Sequence, residues 1–95
     1  MAGIKRLVLD VLKPHEPDNV YFALKLSELP NVEGVNVSLA EIDQNTETLK
    51  VTIVGNNMNF NAIKEVIEDL GAAIHSVDEI VAGKVLVEAV KTEQD

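Results

Sequence analysis

The residues best equipped for chemistry in this chain are two imidazoles and a scattered set of carboxylates. His15 and Glu16 lie between Pro14 and Pro17, directly after an apolar run that contains Asp10, and Asp18 follows the second proline. Glu41 and Asp43 close a later apolar run, and His75 and Asp78 fall inside another. Carboxylate and carbonyl oxygens brought to one place suit a hard cation such as calcium or magnesium, whereas His15 with Glu16 and His75 would suit zinc or another transition metal. A divalent cation, calcium or magnesium ahead of zinc, is therefore the expected cofactor. Its candidate ligands are Asp10, His15, Glu16, Glu41, Asp43, His75 and Asp78. The same groups also have plainer uses. Asp18 is placed to cap a helix, loop acids can pair with Lys13 or Lys84, and His75 fits a half-buried strand histidine. No EF-hand spacing and no His-Glu-x-x-His occurs.

The composition removes several other chemistries. Without Cys the chain has no thiolate nucleophile, disulfide or soft-metal thiolate site. No nucleophile elbow, phosphate-cradling glycine loop or dinucleotide fingerprint is present, and Gly55, Gly71 and Gly83 read as turn and cap glycines. The only acid–base pairs on offer are His15 with Glu16 and His75 with Asp78, so the chain is read as a non-enzyme. Eight Lys and Arg against 16 Asp and Glu give a net charge of −8, which repels phosphate backbones and anionic lipid. Aromatics make up 3%, too few for base stacking. Nucleic acid and membrane are not expected partners. No segment reads as a signal peptide or approaches the roughly 20 apolar residues of a membrane span, so a cytoplasmic location is expected.

The elements that must position these groups can be read from periodicity. Residues 4–13 alternate as a strand, with Leu7, Leu9 and Val11 on one face and Arg6, Val8, Asp10 and Leu12 on the other. After the proline loop, Asp18 caps a helix in which Val20, Ala23, Leu24 and Ser27 recur at helical spacing, flanked by Phe22, Leu26 and Leu29, and which Pro30 and Asn31 stop. Val35, Val37 and Leu39 alternate along a second strand, and Leu49, Val51 and Ile53 return along a third after the polar turn at residues 44–47. Residues 56–59 read as a polar connection. Asn59 caps a second helix with Phe60, Ile63, Val66, Ile67 and Leu70 inward, closed by Gly71. A fourth strand covers about 73–81. Residues 84–90 form a fifth apolar segment, a possible extra C-terminal strand, before a tail at 91–95 expected to fray.

Strand, helix, strand, strand, helix, strand is the order of a ferredoxin-like βαββαβ plait. With right-handed crossovers, a single α+β domain over 1–95 is expected, its antiparallel sheet in the order 4-1-3-2 and both helices on one face. This topology gathers the end of strand one, the proline loop, the end of strand two and the start of strand four. Asp10, His15, Glu16, Asp18, Glu41, Asp43 and His75 would then share one rim. Strand two lies about 10 Å from strand one, two inter-strand spacings away, so Glu41 and Asp43 would form a separate subsite. The face without helices carries Val8, Leu12, Val77 and Val81, a patch that invites association. A homo-oligomer is expected, with residues 84–90 lying over the patch or pairing with a neighbour's edge.

Three stretches carry a resemblance as well as a pattern: LDVLKPHEP at 9–17, EIDQNTE at 41–47 and GAAIHSVDEIVAGK at 71–84. Together they resemble the small archaeal family known as domain of unknown function 211, over nearly the whole chain. The resemblance implies a ferredoxin-like fold and oligomeric assembly, with metal-ion binding, calcium being the ion suggested for relatives, and no established reaction. More remotely, Leu29, Pro30, Val32, Gly34 and Val35 resemble the equivalent turn of heavy-metal-associated domains and of the amino-acid-binding ACT domains. The former use a Cys pair that is missing here. The function expected from all of this is a small oligomeric binding or regulatory module, taking a cation or a small polar metabolite at the acidic rim. The alternative is a structural or adaptor protein that docks partners through its open sheet face.

Overall fold

The computed structural model describes residues 3–88, which form β1 (Gly3–Pro14), α1 (Asn19–Ser27), β2 (Val32–Ile42), β3 (Thr46–Met58), α2 (Phe60–Asp69) and β4 (Ala73–Gly83). The four strands make one sheet in the order β2-β3-β1-β4, with every neighbouring pair antiparallel. This is the plait expected from the element order, an α+β ferredoxin-like fold.

Burial explains why the sheet is stable. Leu7, Leu9 and Val11 of β1 and Leu49, Val51 and Ile53 of β3 alternate onto one face and are fully buried against Phe22 and Leu26 of α1 and Ile63 and Ile67 of α2. Helices of nine and ten residues are too short to persist alone in water, so this contact holds them. Each also has the cap its sequence announces. Asp18 accepts from the Tyr21 amide at 2.8 Å, Asn59 accepts from the Ala62 amide at 3.1 Å, and Gly71, at a φ of +85°, ends α2 in a conformation that side chains resist.

Several local expectations are corrected. The buried stripe of α1 is Phe22 and Leu26, while Val20 is 71% and Leu24 57% exposed. The strands outrun their apolar cores, so residues 56–58 belong to β3 rather than to a connection. Gly55 is therefore no turn glycine. A Cβ there would lie 2.0 Å from the Asn31 carbonyl, the same oxygen that accepts the Asn56 amide at 3.0 Å, so only glycine permits that approach. The β1–β4 ladder carries irregularities between Val8 and Leu9 and between Asp10 and Val11, and these shift the alternation of β4. Val77 stands opposite Leu9 and so joins the helix-side row, not the open face; Val81, opposite Arg6, does lie on the open face. Residues 84–88 form no strand. Instead Leu86 borders a hollow with Lys5, Glu33, Val54, Gly55 and Asn56 on the open side. The remainder of that expected segment, 89–90, and the tail at 91–95 lie outside the described residues.

Candidate functional site

The register gathers the chemistry-bearing residues at one end of the sheet, as expected, and then divides them between its two faces. On the helix side, Lys13 continues the buried row of Leu7, Leu9 and Val11, and it stands opposite Glu47. Its side chain is fully buried. The ammonium turns back into the proline loop and donates to the carbonyls of Pro14 at 2.8 Å, His15 at 3.4 Å and Pro17, with Glu47 Oε1 3.9 Å away. The Glu16–Pro17 bond of this loop is cis. A lysine so placed satisfies three carbonyls that the loop's turn would otherwise leave unpaired.

His15 secures the loop from outside. Its Nδ1 lies 2.9 Å from Glu47 Oε2 and its Nε2 2.9 Å from the Gln44 carbonyl, tying the β1–α1 loop to the β2–β3 hairpin. A carbonyl only accepts, and so does an ionised carboxylate, so both contacts are hydrogen bonds only when His15 is an imidazolium. The hydrogen bond His15 donates to Glu47, followed by the one it donates to the Gln44 carbonyl, holds the His15 pKa above its ordinary 6.5. Reciprocally, the His15 hydrogen bond, with help from Asn19 and the Lys13 charge, holds Glu47 below its ordinary 4.5. Both ring nitrogens are thus committed to the protein. Glu16, expected beside His15 as ligand or acid–base partner, is exposed, and His15 pairs with Glu47 instead.

On the open side, Asp10 stands between Lys50 of β3 and Ser76 of β4, while Leu12 stands between Thr48 and Ala73. The irregularity in β4 places His75 between residues paired with Asp10 and Val11, and it lines one hollow with Asp10, Leu12 and Thr48, about 270 Å³ in volume. Asp78 is engaged nearby. Lys50 reaches across β1 to Asp78 Oδ2 at 2.6 Å, and the Ser76 hydroxyl donates to Asp78 Oδ1 at 2.7 Å. The Lys50 contact first, and Ser76 second, hold the Asp78 carboxyl below its ordinary range, and Asp78 in turn raises Lys50. Asp10 makes no side-chain hydrogen bond among the described residues. Glu41 stands opposite Thr48 on the open face, one strand further from β1, and Asp43 is exposed in the hairpin, with its amide bonded to the Thr46 carbonyl at 2.8 Å.

His15 and His75 therefore share an end of the sheet but not a face. Among the described residues, no group of three or more His, Cys, Asp or Glu is arranged to hold a metal ion. Two larger hollows, about 290 and 370 Å³, lie toward the opposite rim beside residues 86–88. The 270 Å³ hollow is the place where a carboxylate, Asp10, and an imidazole, His75, converge. Lys13, Glu47 and Lys50 are the polar participants that sequence reading missed as a set. The available signal was alternation alone, since Lys13 continues the apolar row of β1 at the same period of two.

No helix among the described residues is long and apolar enough to cross a membrane. The chain matches the family model of domain of unknown function 211, described as uncharacterized ArCR, over residues 5–95. It is 58% identical over 95 residues to the uncharacterized protein MJ0319 of Methanocaldococcus jannaschii, a match that covers 100% of this chain and 98% of that protein. A family match over nearly every residue, joined to a relative of this identity and equal extent, makes the chain a member of the domain of unknown function 211 family.

Proposed function

We propose that the protein is a small, non-catalytic binding module of the cytoplasm that works as a homo-oligomer and takes a small polar ligand in the open-face hollow between Asp10, Leu12, Thr48 and His75. The observation that carries this reading is the convergence of Asp10 and His75, from different strands, on one concave site. Asp10 offers a carboxylate to a cationic or hydrogen-bond-donating group. His75 and Thr48 add polar contacts, and Leu12, 43% exposed, gives an apolar floor. A bare divalent cation would find one carboxylate and one imidazole here, fewer than calcium or zinc requires. A small metabolite that brings its own donors, alone or with a cation, fits the site better. Ligand binding at the hollow would stabilise the fold by mass action.

The adaptor reading has its own support. Leu12, Val54 and Leu86 are 43%, 36% and 49% exposed around the open face, which a second copy or another protein would cover. One experiment separates these readings. After chelation, the protein is titrated calorimetrically with calcium, magnesium, manganese and zinc, and screened by thermal shift against amino acids and other small polar metabolites. A response that Asp10→Asn and His75→Gln abolish is expected. Silence across both panels would remove the ligand and leave the adaptor.

A further inference from the structure

We infer that the Pro14–Pro17 loop is a cation-binding loop whose cation is the chain's own Lys13 ammonium, standing where a potassium- or ammonium-sized ion would otherwise bind. This goes beyond the proposed ligand hollow and is independent of it, since the loop lies on the helix side of the sheet.

The ligand set is that of a monovalent-cation site. Carbonyl oxygens of Pro14, His15 and Pro17 converge on one point, and the point is closed to solvent. Glu47 supplies the anionic wall, its Oε1 shielded from water, without a hydrogen-bond partner and 3.9 Å from the ammonium. Carbonyls wrapped on a single centre repel one another unless a positive charge sits among them, so the loop's conformation requires a cation. A hard divalent ion would be poorly matched by three neutral oxygens and one distant carboxylate oxygen. An ammonium, with three donors for three carbonyls, matches the set. Because this cation is covalently tethered, the rim forms without any ion from solution. The acidic proline loop that looks in sequence like a metal site is therefore already filled.

Chemical rescue tests the inference. Melting midpoints are measured for the native chain, Lys13→Ala and Lys13→Met at constant ionic strength in sodium, potassium, ammonium and tetramethylammonium chloride. Lys13→Ala should melt on the order of 15 °C lower in tetramethylammonium. Potassium or ammonium should restore a saturable part of that loss. The native chain should be indifferent to the exchange, and Lys13→Met, whose side chain fills the space, should not be rescued. A Lys13→Ala variant that tracks the native chain through all four salts would overturn the idea, as would a loss no smaller in potassium and ammonium than in tetramethylammonium. If Lys13→Ala folds in no salt, the native chain decides: nuclear magnetic resonance should show Lys13 Nζ protons exchanging at least tenfold more slowly than those of the exposed Lys25, with couplings to the Pro14 and Pro17 carbonyl carbons. Exchange as fast as at Lys25 would refute it.

Discussion

The two faces of the sheet handle the same rim in opposite ways. On the helix side, Lys13, His15 and Glu47 close on one another and on loop carbonyls, leaving little capacity for anything from solution. On the open side, Asp10 and His75 line a hollow without bonding to each other. Polar residues that satisfy one another hold a fold, whereas polar residues left with spare capacity in a concavity are available to a ligand. Proximity in sequence is no guide to which is which. His15 and Glu16 are neighbours and do different things, while Asp10 and His75 are far apart and share a site.

This contrast can be broken by substitution, beginning with the closed side. Lys13→Ala should cost about 3 kcal/mol, because it leaves three loop carbonyls without their donor and removes the positive charge beside the Glu47 carboxylate, a large share of a small domain's stability. The chain has no Trp and one Tyr, so calorimetry or far-ultraviolet circular dichroism is the appropriate measure. Asp18→Ala, which removes the α1 cap bond to Tyr21, should cost about 1 kcal/mol in the same assay.

A smaller effect should appear in the pH dependence. His15 has a raised folded pKa, so its contribution is complete below its ordinary 6.5 and is lost as pH rises through the folded value. Glu47 has a lowered folded pKa, so its contribution is present above 4.5 and is lost as pH falls through its folded value. The clasp is therefore strongest between these limits. His15→Gln should flatten the decline in melting temperature above pH 6.5, and an unchanged slope would mean that the imidazolium does not hold the rim. Least affected should be Asp10→Asn and His75→Gln, each within about 0.5 kcal/mol of the native chain. A larger loss at either would place the open side in the structural class and undo the contrast.

Much of the architecture was legible because it follows from local rules. Asp18 and Asn59 announced the helix starts, Gly71 announced an end, and the alternation of Leu7, Leu9 and Val11 with Leu49, Val51 and Ile53 named the central core. The site was legible in part. Asp10 and His75 could be assigned to one rim from topology, but their meeting on the open face depends on the irregular pairing of β4, which no residue type signals. Val77 went to the wrong face for the same reason. In α1, Val20 and Leu24 looked as suitable for burial as Phe22 and Leu26, which lie on the opposite face, and only the rotation of the helix about its own axis against the sheet separates them. Lys13 looked like a surface cation, as lysines usually are, because nothing local shows that a loop will fold over its end.

The amino-acid order by itself determined the elements, their caps, the absence of thiol chemistry and the plait that joins them, because periodicity, capping and connection handedness act over a few residues or through simple topological rules. Tertiary structure alone decided which polar groups would be spent on one another. Pairings such as His15 with Glu47 or Lys50 with Asp78 cross from strand to strand, and their energies depend on separation and burial that exist only once the sheet has set its register.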